Sequence, residues 1–132
     1  MSPEDLAQIH AACFTRPRPW SAEEFAALLA DSSNFLISRP QGFLIGRTIL
    51  DEAELLTLAV APEVRRRGSG AALLAAFETE AVRRGAKNAF LEVAHDNQPA
   101  LCLYARSCWY EAGRRRGYYG DGIDALILRK DT

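Results

Sequence analysis

The sequence predicts an α+β fold in which helices cover a mixed sheet. Two helix-like segments open the chain, and three short runs rich in β-forming residues follow them, divided by turn residues. The second half alternates helix, strand and helix before a final strand pair, a pattern typical of strand–helix–strand units. The predicted order is therefore ααβββαβαββ. A chain of 132 residues accommodates one domain, residues 1–132, with one sizeable core.

The two opening helices are indicated by apolar spacing and by a cap. Apolar residues recur at helical intervals over residues 3–14, which predicts the first helix. Ser21, followed three residues later by Glu24, forms a capping box for a second helix that runs to Ala30. Trp20, just before the cap, is placed to pack onto Phe25 as a hydrophobic staple.

Six strands and two further helices complete the predicted pattern. The first three strands are joined by tight turns, so they should pair antiparallel. The fourth strand is nearly all apolar, which predicts a central position in the sheet. Gly85 stands where a helix C-cap glycine is expected. The predicted strands cover residues 35–38, 42–50, 54–61, 89–93, 111–119 and 123–129, and the helices cover residues 68–84 and 99–108.

Composition and charge argue against several classes of protein. The net charge of −1 gives no general attraction to nucleic acid. No apolar run reaches the roughly eighteen residues of a membrane-spanning helix, and the N-terminus lacks the order of a secretion signal. Three cysteines without metal-ligand spacing argue against a disulfide framework or a metal site. We therefore expect a cytoplasmic protein with no metal and with neither nucleic acid nor membrane as a partner.

A basic, glycine-rich segment before the long helix is the clearest sign of a ligand. A helix N-terminus presents four unpaired N–H groups and the positive end of the helix dipole. Glycines let the backbone approach a phosphate closely, and arginines add charge-assisted contacts. The spacing matches neither a Walker loop nor the dinucleotide fingerprint, and a solvated basic loop is the alternative. The residues concerned are Arg65, Arg66, Arg67, Gly68, Ser69 and Gly70.

Several motifs together resemble the GNAT superfamily of N-acetyltransferases. Leu58-Ala59-Val60, followed by Pro62 and the basic segment, is similar to the coenzyme-binding motif of that superfamily. The second half matches through Leu91-Glu92-Val93 and then Asn97, Ala100, Leu103 and Tyr104. The stretches 114–119 and 124–126 resemble one branch, the bacterial ribosomal-protein-alanine N-acetyltransferases of the RimI type.

The resemblance implies a GNAT fold, with a central mixed, mostly antiparallel sheet, a splayed parallel strand pair and flanking helices. It also implies acetyl-CoA as the acetyl donor. The pantetheine arm would enter between the splayed strands, and the pyrophosphate would lie on the amides at the start of the long helix. The implied cofactor-binding residues are Leu58, Ala59, Val60, Arg65, Arg66, Arg67, Gly68, Ser69, Gly70, Ala71, Asn97 and Tyr104.

Glu92 and Tyr104 are the catalytic candidates that the resemblance implies. Acetyl transfer requires a neutral amine, because an ammonium has no lone pair. An N-terminal amine, with a pKa of roughly 7.7–8.0 against about 10.4 for lysine, is the easier one to deprotonate. Burial would raise the pKa of Glu92 toward that of a useful base, and Tyr104 would assist the leaving thiolate. The alternatives are a Glu92 paired with a nearby arginine and a Tyr104 that fills space.

The resemblance favours a protein or peptide N-terminus as acceptor, with a small-subunit ribosomal protein among the candidates. Tyr118 and Tyr119, with an acidic patch around Glu52 and Glu54, would border the acceptor site, although the tyrosines could equally cover an apolar face. A lysine side chain, a small amine or a polyamine is an alternative acceptor. A non-catalytic acyl-CoA-binding module and an RNA-binding protein are alternatives of other classes.

One departure from the family pattern follows the helix that carries Tyr104. Cys108-Trp109 stands where the family usually has a glycine–aromatic pair, so the last turn of that helix is expected to be reshaped. Neither Cys102 nor Cys108 has a histidine placed to activate it. We therefore expect direct acetyl transfer without an acetyl-cysteine intermediate.

Overall fold

The computed structural model describes residues 1–14, 18–62 and 68–132. Within these ranges helices and strands follow one another in the predicted order. The helices are α1 (Pro3–Cys13), α2 (Ala22–Ala30), α3 (Ser69–Arg83) and α4 (Gln98–Arg106). The strands are β1 (Asn34–Arg39), β2 (Gly42–Ile49), β3 (Glu52–Val60), β4 (Asn88–Ala94), β5 (Tyr110–Arg115) and β6 (Ala125–Asp131). Over the described ranges, no helix combines the length and apolarity needed to cross a membrane.

The strands form one mixed sheet in the order β1-β2-β3-β4-β6-β5. Four of the neighbouring pairs are antiparallel, and β3 and β4 form the parallel pair. The predicted α+β class and the mostly antiparallel sheet are confirmed. β4 lies between β3 and β6 in the sheet, so the predicted central position of this strand is confirmed.

β3 and β4 separate soon after they begin to pair. Their parallel pairing joins residues 52–54 to residues 88–90, whereas β3 stays paired with β2 as far as Val60. A register shift in the β2–β3 pairing leaves Leu56 as an extra residue on β3. Such a bulge bends a strand and increases its twist. The predicted splayed pair is therefore present, and the strands diverge where the bulge lies.

The main core lies between α3 and one face of the sheet. Phe35 of β1 stacks on Phe77 of α3 with the ring centroids 5.9 Å apart. A Cβ at Gly46 of β2 would lie 2.6 Å from the Phe35 ring and 2.7 Å from the Phe77 ring. The helix can lie this close to the sheet because position 46 has no side chain.

The last strand pair differs from the prediction at one end. β5 ends at Arg115, so the predicted strand over residues 111–119 is too long. Gly117 adopts a φ of 61°, which a strand cannot continue. The carboxylate of Asp124 accepts the Gly117 N–H at 2.8 Å and the Arg114 guanidinium at 2.7 Å. These contacts fix a turn after β5, and Tyr118 and Tyr119 lie in it rather than on a strand.

A second core cluster packs α1 and α2 against the other face of β2 and β3. His10 lies at its centre with a side chain that is 2% exposed. Its Nδ1 accepts the Trp20 backbone N–H at 3.1 Å, so Nε2 carries the proton and donates to Thr57 Oγ1 at 3.1 Å. Trp20 also packs on Phe25, which confirms the predicted hydrophobic staple. Burial lowers the pKa of His10 to about 4, so the ring is neutral near neutral pH.

The buried His10 should make the protein sensitive to mild acid. The unfolded pKa of about 6.5 lies above the folded value of about 4. The stability that the neutral ring contributes is therefore complete above pH 6.5 and is lost as the pH falls toward 4, by about 3 kcal/mol. His10→Gln keeps a donor and an acceptor without titrating. Urea unfolding of the wild type and of His10→Gln should show the difference in their free energies of unfolding narrowing by about 3 kcal/mol between pH 7 and pH 4. Parallel pH dependences of the two free energies would contradict a neutral, buried His10.

Candidate active site

The opening between β3 and β4 is the candidate active site. A cavity of about 720 Å³ lies there, lined by aromatic, aliphatic and carboxylate side chains. A smaller cavity of about 130 Å³ extends to α4, where Asn97 and Tyr104 line it. The two cavities adjoin, because they share the lining residues Trp20, Leu55, Leu56, Glu92 and Tyr119.

Glu92 reaches both cavities from β4. Strand residues alternate between faces, so Leu91 and Val93 are buried in the core while Glu92 projects into the opening. The Glu92 side chain is 22% exposed, and its Oε1 lies 3.3 Å from Nη2 of Arg115. The expected burial of Glu92 is thus only partial. The arginine-paired carboxylate that the sequence left as an alternative is present here, within the cavity rather than apart from it.

Glu54 is the second carboxylate of the larger cavity. Burial raises the pKa of Glu54, the charges of Glu92 and Glu52 raise it further, and Arg47 opposes them. Glu52 does not line either cavity, and its carboxylate pairs with Arg129 at 3.2 Å. The acidic patch predicted around these residues is therefore divided, and Glu54 is the member that faces the site.

Tyr104 closes the inner end of the smaller cavity. It lies on α4 with 6% of its surface exposed, and its ring packs on Trp109 with the centroids 6.0 Å apart. Burial raises the pKa of Tyr104 well above its usual value. The phenol therefore stays protonated and is suited to donate a hydrogen bond into the cavity.

The turn after α4 keeps a glycine-type geometry without glycine. The Cys108 N–H donates to the Ala105 carbonyl at 3.1 Å and the Trp109 N–H donates to the Tyr104 carbonyl at 3.0 Å, which is the Schellman pattern. Cys108 takes the left-handed conformation, with a φ of 69°. The turn therefore keeps its shape, contrary to the expectation, and Cys108 carries the backbone strain. Trp109 packs against Tyr104.

Relief of this strain should stabilise the protein. Cys108→Gly removes the left-handed penalty and should raise the free energy of unfolding by about 0.5–1 kcal/mol, net of the entropy that glycine adds to the unfolded chain. The matched control is Cys102→Gly, an exposed cysteine within the same helix, which should destabilise by a few tenths of a kcal/mol. Denaturant titrations measure the change in the free energy of unfolding of each variant. If both variants are destabilised, strain at position 108 is absent.

The helix α3 begins at Ser69 without a side-chain cap from the described residues. By contrast, Ser2, Ser21 and Asn97 cap the other three helices. The first hydrogen bond within α3 runs from the Ala72 N–H to the Gly68 carbonyl. Helix geometry gives the three preceding N–H groups no partner within α3, and Gly68 at the N-cap has a φ of 79°. Such groups at the positive end of a helix suit an anion. These groups belong to Ser69, Gly70 and Ala71.

The remaining predicted coenzyme residues surround the same gap. Leu58 lines the smaller cavity, whereas Ala59 is buried in the second core cluster. The Val60 carbonyl accepts the Cys13 thiol at 3.3 Å. Asn97 lines the smaller cavity while its Oδ1 accepts the Ala100 N–H at 3.3 Å. The predicted Arg65, Arg66 and Arg67 lie outside the described residues.

Three side chains of the site were not predicted to lie there. Trp20, from the loop before α2, and Leu56, the bulged residue of β3, line the larger cavity. Arg115 at the end of β5 reaches the site through its ion pair with Glu92. Tyr118 and Tyr119, which were predicted, do line the larger cavity, with their rings 5.0 Å apart. The bulge could not be recognised from alternation, since β3 keeps a regular alternation of buried and partly buried residues through it.

Comparisons with known proteins identify the family. The model of the acetyltransferase (GNAT) family matches residues 4–108. The ribosomal protein bS18-alanine N-acetyltransferase of Escherichia coli strain K12 is 38% identical over 117 residues, which cover 83% of this chain and 79% of that protein. The N-alpha-acetyltransferase RimI of Mycobacterium tuberculosis strain H37Rv is 34% identical over 136 residues, covering 96% and 84%.

A solved structure supports the same assignment. The crystal structure of the ribosomal-protein-S18-alanine N-acetyltransferase from Escherichia coli matches with a TM-score of 0.85 and 33% identity, over 98% of this chain and 86% of that one. The chain therefore belongs to the GNAT family and is an N-acetyltransferase. Enzymes of this family use acetyl-CoA as the acetyl donor. Among the described residues no group of histidine, cysteine and carboxylate side chains is arranged to hold a metal ion.

Proposed function

We propose that this N-acetyltransferase acetylates the N-terminal α-amine of a protein, as an enzyme of the ribosomal-protein-alanine type. The observation that carries the proposal is the larger cavity, in which Glu54 and Glu92 lie together with Trp20, Tyr118 and Tyr119. Carboxylates attract a cationic amine, and aromatic rings pack against the first residues of a peptide. The names of the relatives from Escherichia coli and Mycobacterium tuberculosis support the same acceptor class.

The donor would bind along the splay and at the start of α3. The pairing of β3 with β4 covers residues 52–54 only, which leaves a gap beside residues 55–59 for the pantetheine arm. The pyrophosphate would meet the N–H groups of Ser69, Gly70 and Ala71, with the arginines at 65–67 adding charge. Asn97 would hold the pantetheine end, because its amide nitrogen is not used in capping α4.

A glycine-to-alanine pair tests the donor site. Gly68→Ala should weaken acetyl-CoA binding about tenfold or more, because a left-handed alanine shifts amides that meet a charged phosphate. Gly85→Ala is the matched control at the other end of α3, since both glycines have positive φ and open space around the Cβ position. Calorimetry should show unchanged affinity for the control. Equal affinities of the two variants for acetyl-CoA would show that the pyrophosphate does not bind at the start of α3.

Transfer then requires a base for the acceptor amine. Glu92 would take one proton from the ammonium, directly or through a water, and the neutral amine would attack the thioester carbonyl. The C–N bond forms as the C–S bond breaks, and coenzyme A leaves as a thiolate. The nitrogen then loses its second proton, which passes directly or through solvent to the thiolate, so the products are the amide and the free thiol. Tyr104 would donate a hydrogen bond to that sulfur, a role that suits a phenol whose pKa burial has raised. The exposed Cys102 and Cys108 line neither cavity, in keeping with direct transfer.

Isosteric variants test these roles. Glu92→Gln should lower kcat by roughly two to four powers of ten with little change in acetyl-CoA affinity, and part of the loss should return at high pH, where more amine is neutral. Tyr104→Phe should also lower kcat, with less recovery at high pH. The control Glu111→Gln alters an exposed carboxylate of β5 and should leave turnover unchanged. Near-normal turnover by Glu92→Gln on every amine tested would exclude Glu92 as the base.

The finer assignments are also part of this proposal. The resemblance to the RimI-type enzymes supports a small-subunit ribosomal protein as acceptor. The cytoplasmic location is proposed from the cysteine content and from the composition of the N-terminus. A single domain over residues 1–132 would suffice for the chemistry, because the described residues of both halves of the chain line the same cavities.

A further inference from the structure

We propose that Arg115 is a specificity-determining residue, because its guanidinium occupies the place beside Glu92 that the protonated amine of the acceptor must take. The proposal rests on the proposed function, in which Glu92 receives that amine. An acceptor then binds by exchanging one cation for another. A neutral group at the same place has no charge with which to displace the arginine.

Arg115 is placed for such an exchange at the end of β5. Its Nη2 lies 3.3 Å from Oε1 of Glu92, so the guanidinium forms an ion pair with a carboxylate that lines the larger cavity. Its guanidinium carbon also lies 5.3 Å from the centroid of the Tyr118 ring. The Arg115 side chain is 54% exposed, so it can leave Glu92 without a large desolvation cost and stay over the ring.

Glu52 and Arg47, two charged side chains near the cavity, have partners other than Glu92. Glu52 pairs with Arg129, and the Nε of Arg47 donates to Asn34 Oδ1 at 3.0 Å. Glu54 lies among these charges, where Glu92 and Glu52 raise its pKa and Arg47 and Arg115 lower it. Of the cations in this set, Arg115 is the one in contact with Glu92. An incoming ammonium would therefore replace Arg115 beside Glu92, in the cavity that Glu54 also lines, with the local charge conserved.

The exchange also lets the site discriminate between the amine substrate and its acetylated product. Transfer converts the cationic amine into a neutral amide, and the proton that Glu92 has taken passes to solvent. Glu92 is then again an anion, and among the described residues Arg115 is the cation that pairs with it. Return of the guanidinium excludes the acetylated N-terminus, so the site would favour free amines over their own products.

Binding of small amines tests the exchange without any turnover. The probes are L-alaninamide, which carries an α-ammonium, and N-acetyl-L-alaninamide, which does not. The arginine Nε–H signal of Arg115 is assigned through Arg115→Lys and followed by ¹⁵N NMR. It should shift in Glu92→Gln and on addition of alaninamide, but not on addition of the acetylated probe. The proposal would be overturned if the signal responded neither to Glu92→Gln nor to alaninamide, or if it responded equally to the two probes.

Kinetics with a peptide acceptor provide the second arm. Arg115→Ala should lower the KM for the acceptor about two- to fivefold, the range that a partly exposed ion pair allows, while kcat stays within the error of the wild type. Arg115→Lys should restore the wild-type KM. The control Arg116→Ala removes the same charge one position along the chain and should leave KM unchanged. An unchanged or raised KM in Arg115→Ala would contradict competition by Arg115.

The two proposals fail in different ways. If the wild type acetylates no peptide α-amine, the proposed function is wrong, and the NMR arm still decides whether ammonium displaces Arg115. If peptides are acetylated normally and Arg115→Ala does not lower KM, the proposed function stands and the role of Arg115 is wrong.

Discussion

The separation of β3 from β4 is the constraint on which the rest of the site depends. Neighbouring parallel strands normally satisfy each other's backbone groups along their whole length. Here they pair over residues 52–54 only, and the bulge at Leu56 turns β3 away. The divergence opens a path into the sheet. The start of α3 lies close to α4 beside it, since a Cβ at Gly70 would come within 3.3 Å of the Leu103 side chain. Donor and acceptor sites can then meet inside the fold.

The charges of the site follow from that same opening. Glu54 and Glu92 come from the two diverging strands, so they face one cavity without being buried as deeply as core residues. Repulsion between them favours a shared cation, which is Arg115 here and an ammonium in the proposed reaction. Tyr104 lies deeper, where burial keeps its phenol protonated. The site therefore has an anionic entrance that collects amines and an inner end suited to a leaving sulfur.

The sequence was sufficient for features that depend on local chemistry. The box of Ser21 with Glu24, the positive φ at Gly85 and the element order were all predicted, because caps, turns and periodicity act over a few residues. For Glu92 the sequence offered an arginine partner only as an alternative and did not identify Arg115, and the division of the acidic patch was not predicted. They depend on side chains brought together by strand order, in which β5 lies beyond β6. Cys108 shows the same limit, since tertiary packing of Trp109 and Tyr104 retains a turn that local propensity disfavours.

The most direct measurement of the central claim is the position of the acetyl group in the product. A peptide with a free N-terminal alanine and internal lysines would be incubated with the enzyme and acetyl-CoA, beside the same peptide blocked at its N-terminus. Fragmentation mass spectrometry then locates each acetyl group. The account predicts one acetyl group on the α-amine of the free peptide and none on the blocked one. Acetylation of the lysines at a similar rate in both peptides would contradict it.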